Sequence, residues 1–234
     1  MGSPGFQPGG EARRMTDAGL DLCGESVVLL PERALFWERQ ETLIVADVHL
    51  GKAAAFRAFA LPLPGGTTSE ALARLGKAVE KTGARRLLIL GDLLHARAGR
   101  AARTLATVAA WRERHPDLEI VLVRGNHDRG AGDPPEDWRI RCVDEPWHEG
   151  PFAFRHHPEE DPEGYVLAGH IHPAIHLTGA GRQSATLPAF LFRERLGLLP
   201  AFGPFTGGAR VRPRQGDRVW VLADGEVIEV AGAV

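Results

Sequence analysis

Cysteine is nearly absent. The 234 residues contain two, Cys23 and Cys142, far apart and outside any zinc-type spacing, so a disulfide framework and a thiolate metal site are both excluded and a reducing cytosol fits best. No uninterrupted apolar run approaches the ~18 residues of a membrane span. The N-terminus also lacks the charged-then-apolar pattern of an export signal, so a soluble, cytoplasmic protein with no membrane partner is expected. An excess of one charge is missing too. The formal net charge is −2 and the isoelectric point about 6.6, which gives no global field to draw the chain onto nucleic acid or an anionic membrane, although a local basic patch stays open. Lysine occurs only at 52, 77 and 81, and Arg supplies the other 25 of the 28 basic residues. This bias reads first as composition and only second as phosphate recognition by bidentate guanidinium groups. Repeats and low-complexity tracts are absent from the fold, and no aromatic stacking platform for a single nucleic-acid strand is visible.

What is present is enough for one globular domain with a sizeable core, since 44% of the chain is hydrophobic. Residues 1–17, MGSPGFQPGGEARRMTD, are rich in Gly and Pro and poor in apolar side chains; a disordered tail is expected there, with the folded domain spanning 18–234. Short runs rich in Val, Leu, Ile and Phe follow, among them SVVLL, RALFW, TLIVADVHL, RRLLILGD, LEIVLVRGN, PFAFRHH and YVLAGHIH. Each has strand length and ends in Gly or polar residues. Between them, TSEALARLGKAVEKTG and RAARTLATVAAWRERHP read as helices, the first capped by Thr or Ser and stopped at Gly83, the second closed by Pro116. Alternating strand and helix predicts parallel pairing. Beyond residue 143 short strands without long helices predict a second, more antiparallel sheet. VWVLADGEVIEV is a hairpin turning at Asp224-Gly225, and residues 180–216, studded with Pro and Gly, are expected to form a long ordered excursion.

The polar residues fall at the carboxyl ends of the strands, where ligand sites form in open α/β sheets. Asp47 and His49 follow TLIVA, two apart, so an extended backbone would project both from one face. Asp92 follows RRLLILG, Asn126, His127 and Asp128 follow EIVLVRG, and His170 and His172 follow VLAG. The pair His156-His157 follows PFAFR. Carboxylates, an amide oxygen and several imidazoles without a thiolate suit two divalent first-row ions, Mn²⁺, Fe²⁺ or Zn²⁺, and the imidazole count argues against an all-oxygen Mg²⁺ or Ca²⁺ site. Two such ions need a bridging carboxylate, and Asp92, isolated after a Gly at a strand end, can reach both. A bridged pair can hold a hydroxide that attacks phosphorus in line at neutral pH.

The motifs DVH, GD, GNHD and GHIH, in this order, resemble those of the calcineurin-like metallophosphoesterase superfamily, over most of the folded chain. The resemblance implies a four-layer α-β-β-α sandwich of two mixed sheets. It also implies one metal, Mn²⁺ first among the candidates, held by Asp47, His49, Asp92 and His172, and a second held by Asp92, Asn126, His170 and a His after the intervening strand. That last ligand is His156, first after the strand, or His157. His127 resembles the family's catalytic histidine and takes the role of general acid, with Asp128 orienting its ring. LLPERALFW, ADVHLGKAAAFR, LPLPGGTT, GHIHPA and LPAFGPFTGG look like the bacterial ligase-associated DNA-damage-response endonuclease branch. That implies a DNA substrate and DNA ligase and helicase partners. A homodimer is an alternative to a monomer that the sequence leaves open.

Blander readings stand beside these. His, Asp and Asn at strand ends also close turns and cap helices, and only the ensemble in family order overrides that. His95, about a turn beyond Asp92, is equally a packed histidine or a neighbour of the site. His176, His115 and His148 read as surface residues. Lys52 and Arg57 are placed to meet substrate phosphates or to lie on a solvated helix face. Arg97, Arg100 and Arg103 would share one helical face and Arg210, Arg212 and Arg214 one strand face, each a DNA track or a solvated surface. The rivals to a DNA endonuclease are a small-molecule phosphodiesterase, for cyclic nucleotides or nucleotide anhydrides, and a non-catalytic scaffold.

Overall fold

The computed structural model describes residues 13–61, 65–179 and 183–230. Strand β1 (Arg13–Met15) is followed by an antiparallel meander of β2 (Ala18–Leu22), β3 (Glu25–Leu30), β4 (Ala34–Trp37) and β5 (Thr42–Ala46). To β5 are added, in parallel, β6 (Arg86–Leu90), β7 (Glu119–Val123) and β8 (Ile140–Val143). The result is a seven-stranded sheet in sequence order, with α1 (Lys52–Ala58) and α2 (Thr67–Thr82) between β5 and β6, α3 (Ala102–Arg114) between β6 and β7, and α4 (Asn126–Ala131) after β7.

The second sheet holds ten strands. It comprises β9 (Trp147–Glu149), β10 (Phe152–Arg155), β11 (Tyr165–Ala168), β12 (Pro173–Thr178), β13 (Ser184–Phe192), β14 (Leu196–Leu198), β15 (Ala209–Arg210), β16 (Arg218–Ala223) and β17 (Glu226–Glu229), with β1 on its edge. The main path runs β1-β17-β16-β13-β14-β11-β10-β9, while β12 pairs with β13 and β15. β16 and β17 form the expected hairpin, and Asp224 and Gly225, with φ of 53° and 77°, supply the paired left-handed residues that a two-residue turn requires.

Hydrophobic periodicity accounts for the layers. Helix α2 buries Ala71, Leu72, Leu75, Ala78 and Val79, one stripe at helical spacing, and ends at Gly83, whose N–H reaches the Val79 carbonyl at 2.9 Å from a left-handed backbone. Its N-cap is Gly66 without a side-chain cap, and not the expected Thr or Ser. Trp111 and Val108 of α3 join this stripe against Leu43, Val45, Leu87, Ile89, Ile120 and Leu122 on the outer face of the first sheet. The alternate residues Ile44, Ala46, Leu88, Leu90, Val121 and Val123 face inward onto Phe154, Leu167, Phe190, Phe192 and Trp220 of the second sheet. Both faces of β5 are therefore buried, which is why it reads as a continuous apolar run.

Three expectations are corrected. Arg13–Met15 pair antiparallel with β17, so the fold begins before residue 18; the rest of the expected tail, residues 1–12, lies outside the described residues. The two mixed sheets and the helices on the first are as expected, but no α-helix follows Ala131 among the described residues. The outer face of the second sheet is covered instead by Ile175 and Leu177 of β12, with Leu187 and Val211. The 180–216 excursion contains β13, which pairs with β12 through its first half and with β16 and β14 through its second. Pro188 sits where β13 leaves β12, a position at which a missing N–H does least harm; the proline obscured a strand that is otherwise apolar.

Trp37 is fully buried at the end of the sandwich opposite the carboxyl end of β5, edge-on to Phe152 at 5.0 Å. Truncation by Trp37→Ala should cost about 3–5 kcal/mol, seen as a lower urea midpoint, while the fraction that remains folded keeps its metal content.

Candidate metal centre

The ligand candidates leave the strands in the left-handed region. Asp47, His49, Asp92, His170 and His172 have φ of 54°, 50°, 53°, 66° and 51°, each costing on the order of 1 kcal/mol for a residue with a Cβ. Such a run survives only where the surroundings fix it. Here a backbone ladder continues the β5–β6 pairing past both strands: Asp47 N–H to the Gly91 carbonyl at 3.2 Å, His49 N–H to Asp92 at 2.8 Å, Leu50 N–H to Leu93 at 2.8 Å and His95 N–H to Leu50 at 3.0 Å. The same-face geometry expected of an extended DVH segment is thus replaced by two left-handed turns. The glycines of GD, GN and GH have one common reason. A side chain at Gly91 would run into the His156 ring, at Gly125 into the Asp92 carboxylate, and at Gly169 into the Asp47 carboxylate.

Two overlapping donor groups result. In the first, ligand atoms of Asp47, His49 and His172 converge, with His172 Nε2 3.4 Å from Asp47 Oδ1 and His49 Nε2 3.7 Å from Asp92 Oδ2. His172 Nδ1 is turned to the Thr206 carbonyl at 3.3 Å, so the ring donates there and keeps a lone pair on Nε2. In the second, His156 Nε2 faces Asn126 Oδ1 at 2.8 Å, His170 Nδ1 at 3.1 Å and Asp92 Oδ1 at 3.5 Å. His156 Nδ1 faces the Leu90 carbonyl at 3.1 Å, which again leaves Nε2 with a lone pair. His157 lies close and converges with His156 and His170 in one donor group; its Nδ1 is engaged by Glu145 Oε1 at 2.7 Å, a carboxylate where His156 and His172 have a carbonyl.

The residues fit divalent cations on two grounds. His49 Nε2 is buried and has no hydrogen-bond partner, and burial, with the neighbouring imidazoles, pushes its pKa down to about 2, so the ring is neutral with a lone pair to offer. Asp47 and Asp92 are 0% and 2% exposed, and burial holds the Asp92 carboxyl above the usual range. Two buried carboxylates and several converging lone pairs are satisfied together by cations, whereas a shared proton serves a single pair.

His127 stands beside this centre. Its N–H donates to Asp92 Oδ1 at 2.9 Å and its Nδ1 to the His95 carbonyl at 2.6 Å, which directs Nε2 toward the site, 3.9 Å from Asp92 Oδ2. Asp128 does not orient the ring, contrary to expectation. Its carboxylate accepts from Leu94 N–H at 3.1 Å and Gly125 N–H at 2.9 Å, closing the first turn of α4, because neighbouring helical residues point about 100° apart. Burial raises its pKa to about 6.

Two neighbours were under-read from the sequence. His95 stacks on His127 with centroids 4.9 Å apart and its Nδ1 lies 3.2 Å from His49 Nδ1; burial, then His127, pulls its pKa to about 4. Its spacing after Asp92 was the available signal. Glu145 Oε2 accepts from the N–H groups of His156 at 2.8 Å and His157 at 2.9 Å. Nothing in the sequence flags it, since the contact depends on β8 lying beside β7.

The basic candidates separate. Lys52 begins α1 and lies near enough to lower the pKa of both His49 and His95. Arg57 and Arg103 line one cavity of about 340 Å³ between the starts of α2 and α3. Arg97, Arg100 and Arg103 do not share a helical face: Arg97 lies in a 3₁₀ turn, Arg100 follows it and binds the carbonyls of Gly132 and Asp133, and only Arg103 is in α3. Arg210, Arg212 and Arg214 are all exposed, though only Arg210 is in a strand. His176 bonds Thr186 Oγ1 at 3.1 Å, His148 bonds Asp161 Oδ1 at 3.0 Å, and His115 packs on Trp111 at 4.5 Å. None of these three is among the groups that could hold a metal in the described residues.

Strand-end loops on two packed mixed sheets, with two donor groups sharing one carboxylate, define a metal-dependent phosphoesterase fold, and comparison agrees. A sequence model described as calcineurin-like phosphoesterase matches residues 41–188, and the chain belongs to that family. Among solved structures, the nuclease MPE of Pseudomonas putida is 43% identical, with 91% of this chain and 99% of that one covered and a TM-score of 0.81. The phosphoesterase Yfce of E. coli is 17% identical over 82% of this chain and 92% of that one, with a TM-score of 0.39. Comparison with curated proteins gives no match. Among the described residues no helix is long and apolar enough to cross a membrane.

Asp128→Asn replaces one of two carboxylate acceptors by an amide N–H, so either Leu94 or Gly125 loses its partner. A loss of about 1–3 kcal/mol in urea unfolding is expected, while the stacking of His127 on His95, followed by NMR contacts between the two rings, is kept. Loss of that contact would restore the orienting role.

Proposed function

We propose that the chain is a dinuclear metal-dependent phosphodiesterase that cuts DNA internally, in the cytoplasm, as part of DNA repair. The observation that carries this is that Asp92 turns Oδ2 to His49 and Oδ1 to His156, one oxygen to each cluster of imidazoles, with His127 beside it, supported by the likeness to a nuclease over nearly the whole chain. Asp47, His49, Asp92 and His172 would hold one ion, and Asp92, Asn126, His156 and His170 the other, Mn²⁺ suiting a mixed carboxylate, amide and imidazole set. Bound there, such ions bring a water into ionisation near neutral pH and neutralise charge on the phosphoryl oxygens.

The chain's own groups supply the remainder. The His95 carbonyl and stacked ring hold His127 with Nε2 outward, its side chain 37% exposed. From there it donates a proton to the departing oxygen. The floor of the centre, Asp47, His49, Asp92 and His156, is buried, while Asn126 and His170 are exposed at its rim. A centre open on one side admits a polymer that passes across it, which favours DNA over a small enclosed diester. Resemblance to the DNA-damage-response branch extends the proposal to DNA ligase and helicase as partners; a homodimer is a separate assembly to test.

A covalently closed single-stranded DNA circle with Mn²⁺ tests the reading, because a circle has no ends. Wild type should linearise it, and Asp92→Asn, lacking the shared carboxylate, should leave it closed. An intact circle with wild type would move the reading to small-molecule diesters or to duplex DNA. His127→Ala should keep both metals by elemental analysis and slow cleavage by about 10²–10⁴-fold; loss of metal would make His127 a ligand and remove its role as acid.

A further inference from the structure

The segment LPAFGPFTGG, residues 199–208, follows β14 and meets the metal loops directly. Phe202 is fully buried and its N–H donates to the Ala46 carbonyl at 2.8 Å, Gly203 N–H donates to Asp47 at 3.0 Å, and the Thr206 carbonyl receives His172 Nδ1. These contacts brace the ligand turns. They do not account for Phe205, which is 55% exposed and held at φ 57°. An exposed ring gains no burial energy, and a left-handed phenylalanine is strained.

Phe205 stands on a cavity of about 350 Å³ that His172 also lines, so the cavity opens beside the metal centre. Pro188 gives it an apolar wall and Arg33 a cationic one. Arg33 is half-buried, donates to the Ala201 carbonyl at 3.1 Å and makes no salt bridge among the described residues. An exposed aromatic face and a guanidinium that feels the Glu70 charge but is held in no salt bridge, in a cavity of ligand-binding size beside a phosphodiesterase centre, match the two halves of a nucleotide.

We propose that this cavity is a nucleotide subsite, in which Phe205 stacks on an unpaired base and Arg33 takes the phosphate of a nucleotide neighbouring the one cut. It rests on the DNA reading above and assigns the LPAFGPFTGG segment a part in positioning the strand. The sequence did not reveal a stacking platform because the platform is one ring, placed by a loop whose other aromatic, Phe202, is core.

The test is binding by Mn²⁺-loaded protein in the His127→Ala background, which keeps the metals and cleaves slowly, by fluorescence anisotropy with a labelled oligothymidylate and an equally long oligomer of abasic tetrahydrofuran units. Phe205→Ala should weaken oligothymidylate binding about tenfold, Phe205→Trp should keep it, and the abasic oligomer should bind Phe205→Ala and its His127→Ala parent alike. Arg33→Gln should weaken both oligomers and lower the salt slope by about 0.7. Unchanged oligothymidylate binding by Phe205→Ala, or an equal loss on both oligomers, would overturn the subsite, the second outcome marking a distorted loop. Base-dependent binding by a protein whose wild type leaves the DNA circle closed would uphold the subsite and overturn single-strand cleavage alone.

Discussion

Asp92 is 2% exposed at the end of a strand buried on both faces, and its two carboxylate oxygens point at different partners: Oδ1 at the His127 N–H and His156 Nε2, Oδ2 at His49 Nε2. Asp47, wholly buried, lies across the same edge and accepts the His170 N–H at 2.9 Å. Two carboxylates this deep, with no Lys or Arg paired to them among the described residues, are an electrostatic deficit that only the surrounding histidines can meet from within the chain. Desolvation makes that deficit large, and it is the reason the fold's stability and its metal chemistry are coupled.

The backbone holds this arrangement in place. Five left-handed non-glycine residues would each be disfavoured alone, yet the ladder from Asp47 to His95 carries β-type pairing beyond the ends of β5 and β6 and locks the turns in register. The glycines ahead of the ligands let the loops approach to van der Waals contact, and the segment around Phe202 closes the assembly from the other sheet. Strain at the site is thus carried by the stability of the two sheets, whose facing residues form an aromatic-rich core.

Burial and exposure then divide the labour. The floor of the centre is inaccessible to solvent, while Asn126, His170 and the His127 ring meet it, so the centre is open from their side. His127 owes its direction to a carbonyl and a ring from the β6 loop, while Asp128 spends both oxygens on backbone N–H groups. Adjacent residues in one motif therefore serve unlike ends: one faces the chemistry, and the other fastens the helix that presents it.

The polar residues that the structure brings together were legible because each follows a short apolar run, and a strand buried on both faces can present a polar side chain only at its end. Asp47, His49, Asp92, Asn126, His156, His170 and His172 all come together, and alternation of strand and helix foretold the parallel half of the first sheet. The β13 strand was hidden by Pro188, and the left-handed turns by the absence of any local pattern that announces them. Only tertiary structure turned His157 to Glu145, set His95 beneath His127, removed Asp128 from the ring and raised Phe205 at the rim. Sequence periodicity reports which face of a segment is buried. Which partner a side chain meets depends on residues tens of positions away, and that is decided when the two sheets pack.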